Sequence, residues 1–215
     1  MTIASGDFEL TVAELRVVAR YAAESAQEVL SIFEADRRDD RRPRAAVEAA
    51  WAFARGGRRT RLQRVTALDA HRAAKEATSE AAYAAARAAG DAAAAAYLHP
   101  LANATQVGHI LRAAAYAAHA AELAAGGDET VGRRLIEQAR QRAGPTLVDV
   151  LRRYPPAPKS RNRVGQLMRI LDASLRSISV GGPGTGSERA TDIPSPPTSG
   201  HRHDGAGPTD HRHSW

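Results

Sequence analysis

The chain reads as an all-α protein: a single multi-helix bundle of about eight helices with Ala-rich central helices, followed by a disordered C-terminal tail. Three observations predict this. Through the first 180 residues apolar side chains recur at three- and four-residue spacing, and nowhere alternate with period two over the length of a strand. Helix-start signals and Gly or Pro stops divide that stretch into segments. From Gly181 onward Gly, Pro, Ser, Thr and His dominate and apolar residues almost vanish.

Residues 1–10 form a lead-in with no Lys or Arg and no apolar run of signal-peptide length, so a secretory leader is not expected. Thr11 and Glu14 have the spacing of a capping box, with Leu10 and Leu15 placed to close a hydrophobic staple. Leu15, Val18, Ala22, Ala26, Val29 and Phe33 then mark a first helix to about Phe33. The charged run Asp36 to Arg42 reads as a solvated loop. Pro43 suits the first turn of a second helix, Val47 and Trp51 give it a buried edge, and Gly56-Gly57 stops it. A third helix is expected from Thr60 to Ala77 and a fourth from Ser79 to Leu98. In the fourth, Tyr83, Gly90 and Tyr97 share a face otherwise made of Ala.

Pro100 breaks the chain, and a fifth helix is expected from about Leu101 to Ala125, closed by Gly126-Gly127. Asp128 caps a sixth, carrying Val131, Leu135, Ile136 and Ala139. Thr146 and Asp149 have capping-box spacing for a short seventh ending near Tyr154. After a Pro155, Pro156, Pro158 connector, Val164, Leu167, Met168, Leu171, Leu175 and Ile178 form the cleanest apolar stripe of the chain. Residues 11–180 are therefore expected to be one helical domain. Residues 181–215 lack the apolar surface needed to offset the entropy of ordering them, and are expected to be a disordered Gly/Pro/Ser/His-rich tail.

Composition limits the chemistry. Cysteine is absent, which excludes disulfides, thiolate metal sites and cysteine nucleophiles and suits a reducing cytoplasm. No run of membrane-spanning length is free of charge; in the Ala-rich stretch 81–96, Arg87 and Asp91 interrupt it. The net charge is +6, and nearly all the cationic residues are Arg, since Lys occurs only at Lys75 and Lys159. A basic surface attracts nucleic acid, anionic lipid or an acidic protein. Arginine clusters twice: at Arg37, Arg38, Arg41, Arg42 and Arg44, where Asp39 and Asp40 blunt the charge, and at Arg58, Arg59, Arg61 and Arg64. The second cluster spans a helix start, where cations oppose the helix dipole and a docked anion or acidic partner would relieve the mismatch.

Catalytic constellations are missing. Gly181 to Ser187 looks superficially like a phosphate-binding loop but has no Lys, no preceding strand and no following helix. His201, His203, His211 and His213 in the tail lack a scaffold that would fix metal geometry, and no metal or other cofactor is assigned. Within the central helices His71, His99, Thr105, Gln106 and His109 are candidates for a shared polar pocket, with Asp91 nearby. The competing reading is that they only satisfy helix ends and a kink, since no His-Glu-x-x-His pairing is present.

Several segments resemble a family of bacterial, actinobacterial-type, all-helical immunity proteins of polymorphic toxin systems. They are Arg58-Arg59-Thr60, Ala70 to Ala74, Ala88 to Ala92, Ala96 to Leu101, Ala104 to Leu111 and Leu151 to Pro156, within a resemblance spanning about Phe8 to Leu175. The resemblance implies a protein that binds and neutralises a cognate protein toxin in the cytoplasm. With no assembled chemistry in the sequence, occlusion without catalysis is expected, and the lack of an uncharged apolar run argues against a membrane partner. A basic inhibitor of this kind suits a toxin presenting an acidic or apolar face. Two rival readings follow from the residues alone: a nucleic-acid-associated helical protein using Arg58 to Arg64, with strongly salt-dependent affinity, and a metal-binding enzyme built on His71, His99 and His109.

Overall fold

The computed structural model of the chain describes residues 8–178. They form eight α-helices: α1 (Val12–Asp36), α2 (Arg42–Ala54), α3 (Arg61–Lys75), α4 (Glu80–Ala94), α5 (Val107–Ala124), α6 (Glu129–Arg142), α7 (Pro145–Arg152) and α8 (Arg163–Arg176). Short 3-10 turns at Ala95–Tyr97 and Ala104–Gln106 link α4 to α5, and the described residues contain no β-sheet. The lead-in, the tail expected to be disordered and its four histidines lie outside the described residues, apart from Phe8 to Leu10.

The helix starts follow from local chemistry. The Thr11 box closes: the Thr11 N–H donates to Glu14 Oε2 at 2.7 Å, and the Glu14 N–H donates to Thr11 Oγ1 at 3.2 Å. Arg153, just past α7, binds the same carboxylate at 2.5 Å and holds its pKa down to about 2, which ties α7 to the start of α1. A second box, at Thr60 and Gln63, starts α3. Its third-position partner is Gln, and the acidic version is the one more readily recognised in a sequence.

Two expected starts are corrected. Helix α5 begins at Val107, not near Leu101, because Asn103 caps the 3-10 turn instead and accepts from the Thr105 N–H at 2.9 Å. Helix α7 begins at Pro145 after Gly144 with no side-chain cap, so Thr146 and Asp149 form no box. Proline at the first helical position has its φ preset and no N–H to satisfy, and the Leu147 N–H donates to the Gly144 carbonyl at 3.1 Å in place of a side-chain cap.

Helix α4 sits at the centre, against α1, α2, α3 and α5. Ten of its residues from Ala82 to Ala93 are fully buried or nearly so, and all but Gly90 and Asp91 are Ala. Small side chains let the neighbouring helices approach closely. The large apolar residues lie around this alanine centre: Phe33 and Phe53 on α1 and α2, Ile110 and Leu111 on α5, Leu147 and Leu151 on α7, and Leu167, Leu171 and Leu175 on α8. Among the described residues no helix is long and apolar enough to cross a membrane.

Candidate functional site

The site begins with a carboxylate in an alanine core. Asp91 on α4 is 1% exposed, and a buried charge requires a partner. Arg112 on α5 supplies it with two parallel hydrogen bonds, Nε to Oδ2 at 2.9 Å and Nη2 to Oδ1 at 2.8 Å. From α3, His71 brings Nε2 to 3.7 Å from Asp91 Oδ1, an ion-pair distance beyond hydrogen-bond range. Two glycines make room. A Cβ at position 90 would lie 2.5 Å from His71 Cε1, and one at position 108 would lie 3.0 Å from Arg112 Nη1. His71 and His109 both have their pKa pushed down by burial, so their rings are held neutral; Arg112 lowers His109 further, whereas Asp91 opposes the shift at His71.

Beyond His71 the seam between α3 and the end of α4 opens into a recess of about 220 Å³. Its lining is polar at Arg64, His71, Tyr97 and His99 and apolar at Ala67, Leu68 and Ala94; the facing alanines are too small to fill it. Tyr97 organises the mouth. Its hydroxyl donates to the Thr60 carbonyl at 2.7 Å, and the guanidinium carbons of Arg59 and Arg64 lie 5.7 and 5.0 Å from its ring centroid. Arg59 Nη1 also donates to the Ala96 carbonyl at 3.2 Å. His99 is held from both sides of its backbone: its N–H donates to Gln106 Oε1 at 3.1 Å, and the Tyr154 hydroxyl donates to its carbonyl at 2.9 Å.

The structure thus brings His71 and His99 to one recess and joins to them Arg64 of the basic cluster. Gln106 holds His99 in place, and His109 lies beside the Asp91–Arg112 pair. Thr105 is not brought in: it stands on the 3-10 turn, exposed, with its hydroxyl donating to Asn103 Oδ1 at 2.9 Å. Arg58, Arg59, Arg61 and Arg64 are all exposed, and none has a carboxylate partner among the described residues. Next to them the outer face of α3 carries Leu62, Val65 and Leu68, which are 52%, 38% and 50% exposed. The inner face of α3 is built instead from Gln63, Thr66, Ala67, Ala70, Ala73 and Ala74. The helix therefore turns its largest apolar side chains outward. The three-residue spacing of Leu62, Val65 and Leu68 marks an apolar stripe in the sequence, but ordinarily one that faces the core, so its outward direction had no sequence signal. Nor had the partnership of Arg112 with Asp91 or of Tyr154 with His99.

A larger groove of about 520 Å³ runs between α1 and α2 around Trp51. Its cations and its indole N–H are already engaged: Arg44 on Glu34 at 2.6 Å, Trp51 Nε1 on Gln27 at 2.6 Å, and Arg55 over the Trp51 ring at 4.8 Å. The recess is smaller but retains unspent donors. No Ser, Thr or acidic side chain lines it, so its chemistry is that of holding an anion.

Five of the six segments that carried the family resemblance meet at this seam, through Arg59 and Thr60, His71, Gly90 and Asp91, Tyr97 and His99, and Gln106 and His109. Tyr154 attaches the sixth. A model of the Imm-5 like putative immunity protein family matches residues 9–144, well over half of the chain. The chain belongs to that family. The matched span ends before Leu151–Pro156, so in this family member the contribution of Tyr154 comes from outside it. No curated protein and no solved structure matches the chain.

Proposed function

We propose that this Imm-5 like protein is a cytoplasmic immunity protein that binds a cognate toxin and neutralises it by stoichiometric occlusion, without turnover. Family membership supports the immunity role. The observation that carries the mode of action lies on α3, where three exposed apolar side chains adjoin four arginines with no carboxylate partner among the described residues. Covering Leu62, Val65 and Leu68 with a partner removes apolar surface from water, at about 25 cal/mol per Å². The free arginines select for an acidic surface around that contact and accelerate encounter with it.

The experiment is co-expression of the chain with toxins encoded beside it, together with capture of partners by the tagged chain before and after nuclease treatment. Protection from one toxin and a 1:1 complex that survives nuclease are expected. Absence of protection combined with absence of any protein partner removes the reading. Capture of nucleic acid, or of proteins lost on nuclease treatment, transfers the arginine cluster to the nucleic-acid-associated alternative.

A further inference from the structure

We infer that the recess beside Tyr97 receives a carboxylate side chain of the partner, while an apolar side chain one helical turn away on that partner seats against Leu62, Val65 and Leu68. The identity of the partner rests on the immunity reading; the chemistry of the socket rests on the recess itself. Arg64 has its guanidinium carbon 5.0 Å from the Tyr97 ring centroid and makes no hydrogen bond among the described residues, so its N–H groups are unspent. A guanidinium restrained on an aromatic ring with its N–H groups unspent can offer its fork to a carboxylate as a bidentate pair. Arg59 lies against the same ring, and its one hydrogen bond, to the Ala96 carbonyl, leaves other N–H groups unused. His99 adds an exposed imidazole on the opposite chain segment.

The neighbouring α3 face decides which anion fits. A phosphate of nucleic acid would satisfy Arg64 but bring further charge across Leu62, Val65 and Leu68, where exposed apolar side chains need an apolar cover. A protein segment with an acidic and an apolar residue on one face meets both demands. The floor of the recess is also fixed: His71 is wedged over Gly90, with its Nε2 3.7 Å from Asp91 Oδ1.

The test is an amide chemical-shift titration of the full chain with a blocked helical peptide carrying Glu and Leu one turn apart. Parallel titrations use the same peptide with Gln for every Glu, the same peptide with Ser for every Leu, and oligothymidylate as a phosphate source. Shifts centred on Arg64, Leu68, His71 and Tyr97 are expected. Affinity should fall about 10-fold with either altered peptide, and by as much in the Arg64→Gln and Leu68→Ser proteins, whose Tm should be unchanged. Equal binding of the Gln peptide, shifts centred elsewhere, no shift with any peptide, or displacement of the peptide by oligothymidylate from the same amides each overturn the inference. Toxin protection by the native chain and by Arg64→Gln separates the two levels. Equal protection removes the socket and leaves the immunity reading, whereas no protection by the native chain removes the immunity reading and leaves the titration to judge the socket.

Discussion

Arginine is about as dense before α2 as before α3, yet the two clusters do different work. In the first, Arg42 is held by Asp40 at 2.6 Å and by Glu76, from beyond the end of α3, at 2.5 Å, and Arg44 grips Glu34 with two bonds at 2.6 and 2.7 Å. Asp36 and Asp40 have their carboxyl pKa lowered by hydrogen bonds, from Thr78 and from Arg42 respectively. Through Arg42 and the Asp36–Thr78 bonds, part of the first cluster is a clasp that fastens the α1–α2 corner to the α3–α4 corner, while Arg37, Arg38 and Arg41 have no carboxylate partner among the described residues. In the second, the guanidiniums lean on Tyr97 or stand free, and no described carboxylate meets them. Local charge density therefore says little about available charge; it is decided by the acids within reach, Asp40 and Glu34 from nearby in the chain and Glu76 from the end of α3.

That contrast can be broken or sharpened. The largest effect is expected beneath the second cluster, at Asp91→Ala. Removing the carboxylate leaves Arg112 unpaired at a half-buried position, at a cost on the order of 3 kcal/mol. Thermal unfolding should show Tm lower by roughly 6–12 °C; an unchanged Tm would mean that the pair gives the recess no support. Next, reversing Arg58, Arg59, Arg61 and Arg64 together to Glu should weaken partner capture by more than about 100-fold while leaving Tm the same or slightly higher. None of the four pairs with a described carboxylate, and acids at the α3 start favour the helix dipole by about 0.3–1 kcal/mol each. A large loss of stability would show that this cluster is a clasp as well. The mirror experiment is Arg42→Ala, which should cost about 1 kcal/mol of stability, since the Arg42 side chain is a third exposed, and leave capture unaltered.

The smallest effect is in pH. His71, His109 and His119 have folded pKa values below the ordinary histidine value, so the unfolded chain binds more protons as the solution is acidified through that value. Stability should therefore be greatest near neutral pH and decline from about pH 7 to about pH 5.5, before the carboxylates titrate. Equilibrium denaturation across that window checks it, with His71→Gln expected to flatten the slope. A rise in stability on acidification would contradict the neutral assignment.

The helices were legible because their signals are local. Thr11 with Glu14, Pro43, Gly56-Gly57 and Asp128 each fix a boundary through contacts within a few residues. The errors arose where two local signals competed: Pro145 preempted Thr146, and Asn103 opened a 3-10 turn where Pro100 alone marked the break. The seam was only partly legible. His71, His99 and Arg64 stood out by residue type, but their meeting depends on Arg112 reaching Asp91 from 21 residues away and Tyr97 reaching Thr60 from 37. No spacing rule in a single sequence connects positions joined only by helix packing. Thr105 was misplaced for the same reason as the α5 start.

Alanine has no side-chain rotamers, so the platform under the recess has almost no conformational freedom left to lose. Docking a partner there need only still the long side chains at the rim, at about 0.5–1.5 kcal/mol each, and Arg59 and Arg64 are already partly restrained by Tyr97. The expected consequence is lock-and-key association: free and bound backbones superposing within about 1 Å, and partner choice set by the rim residues alone.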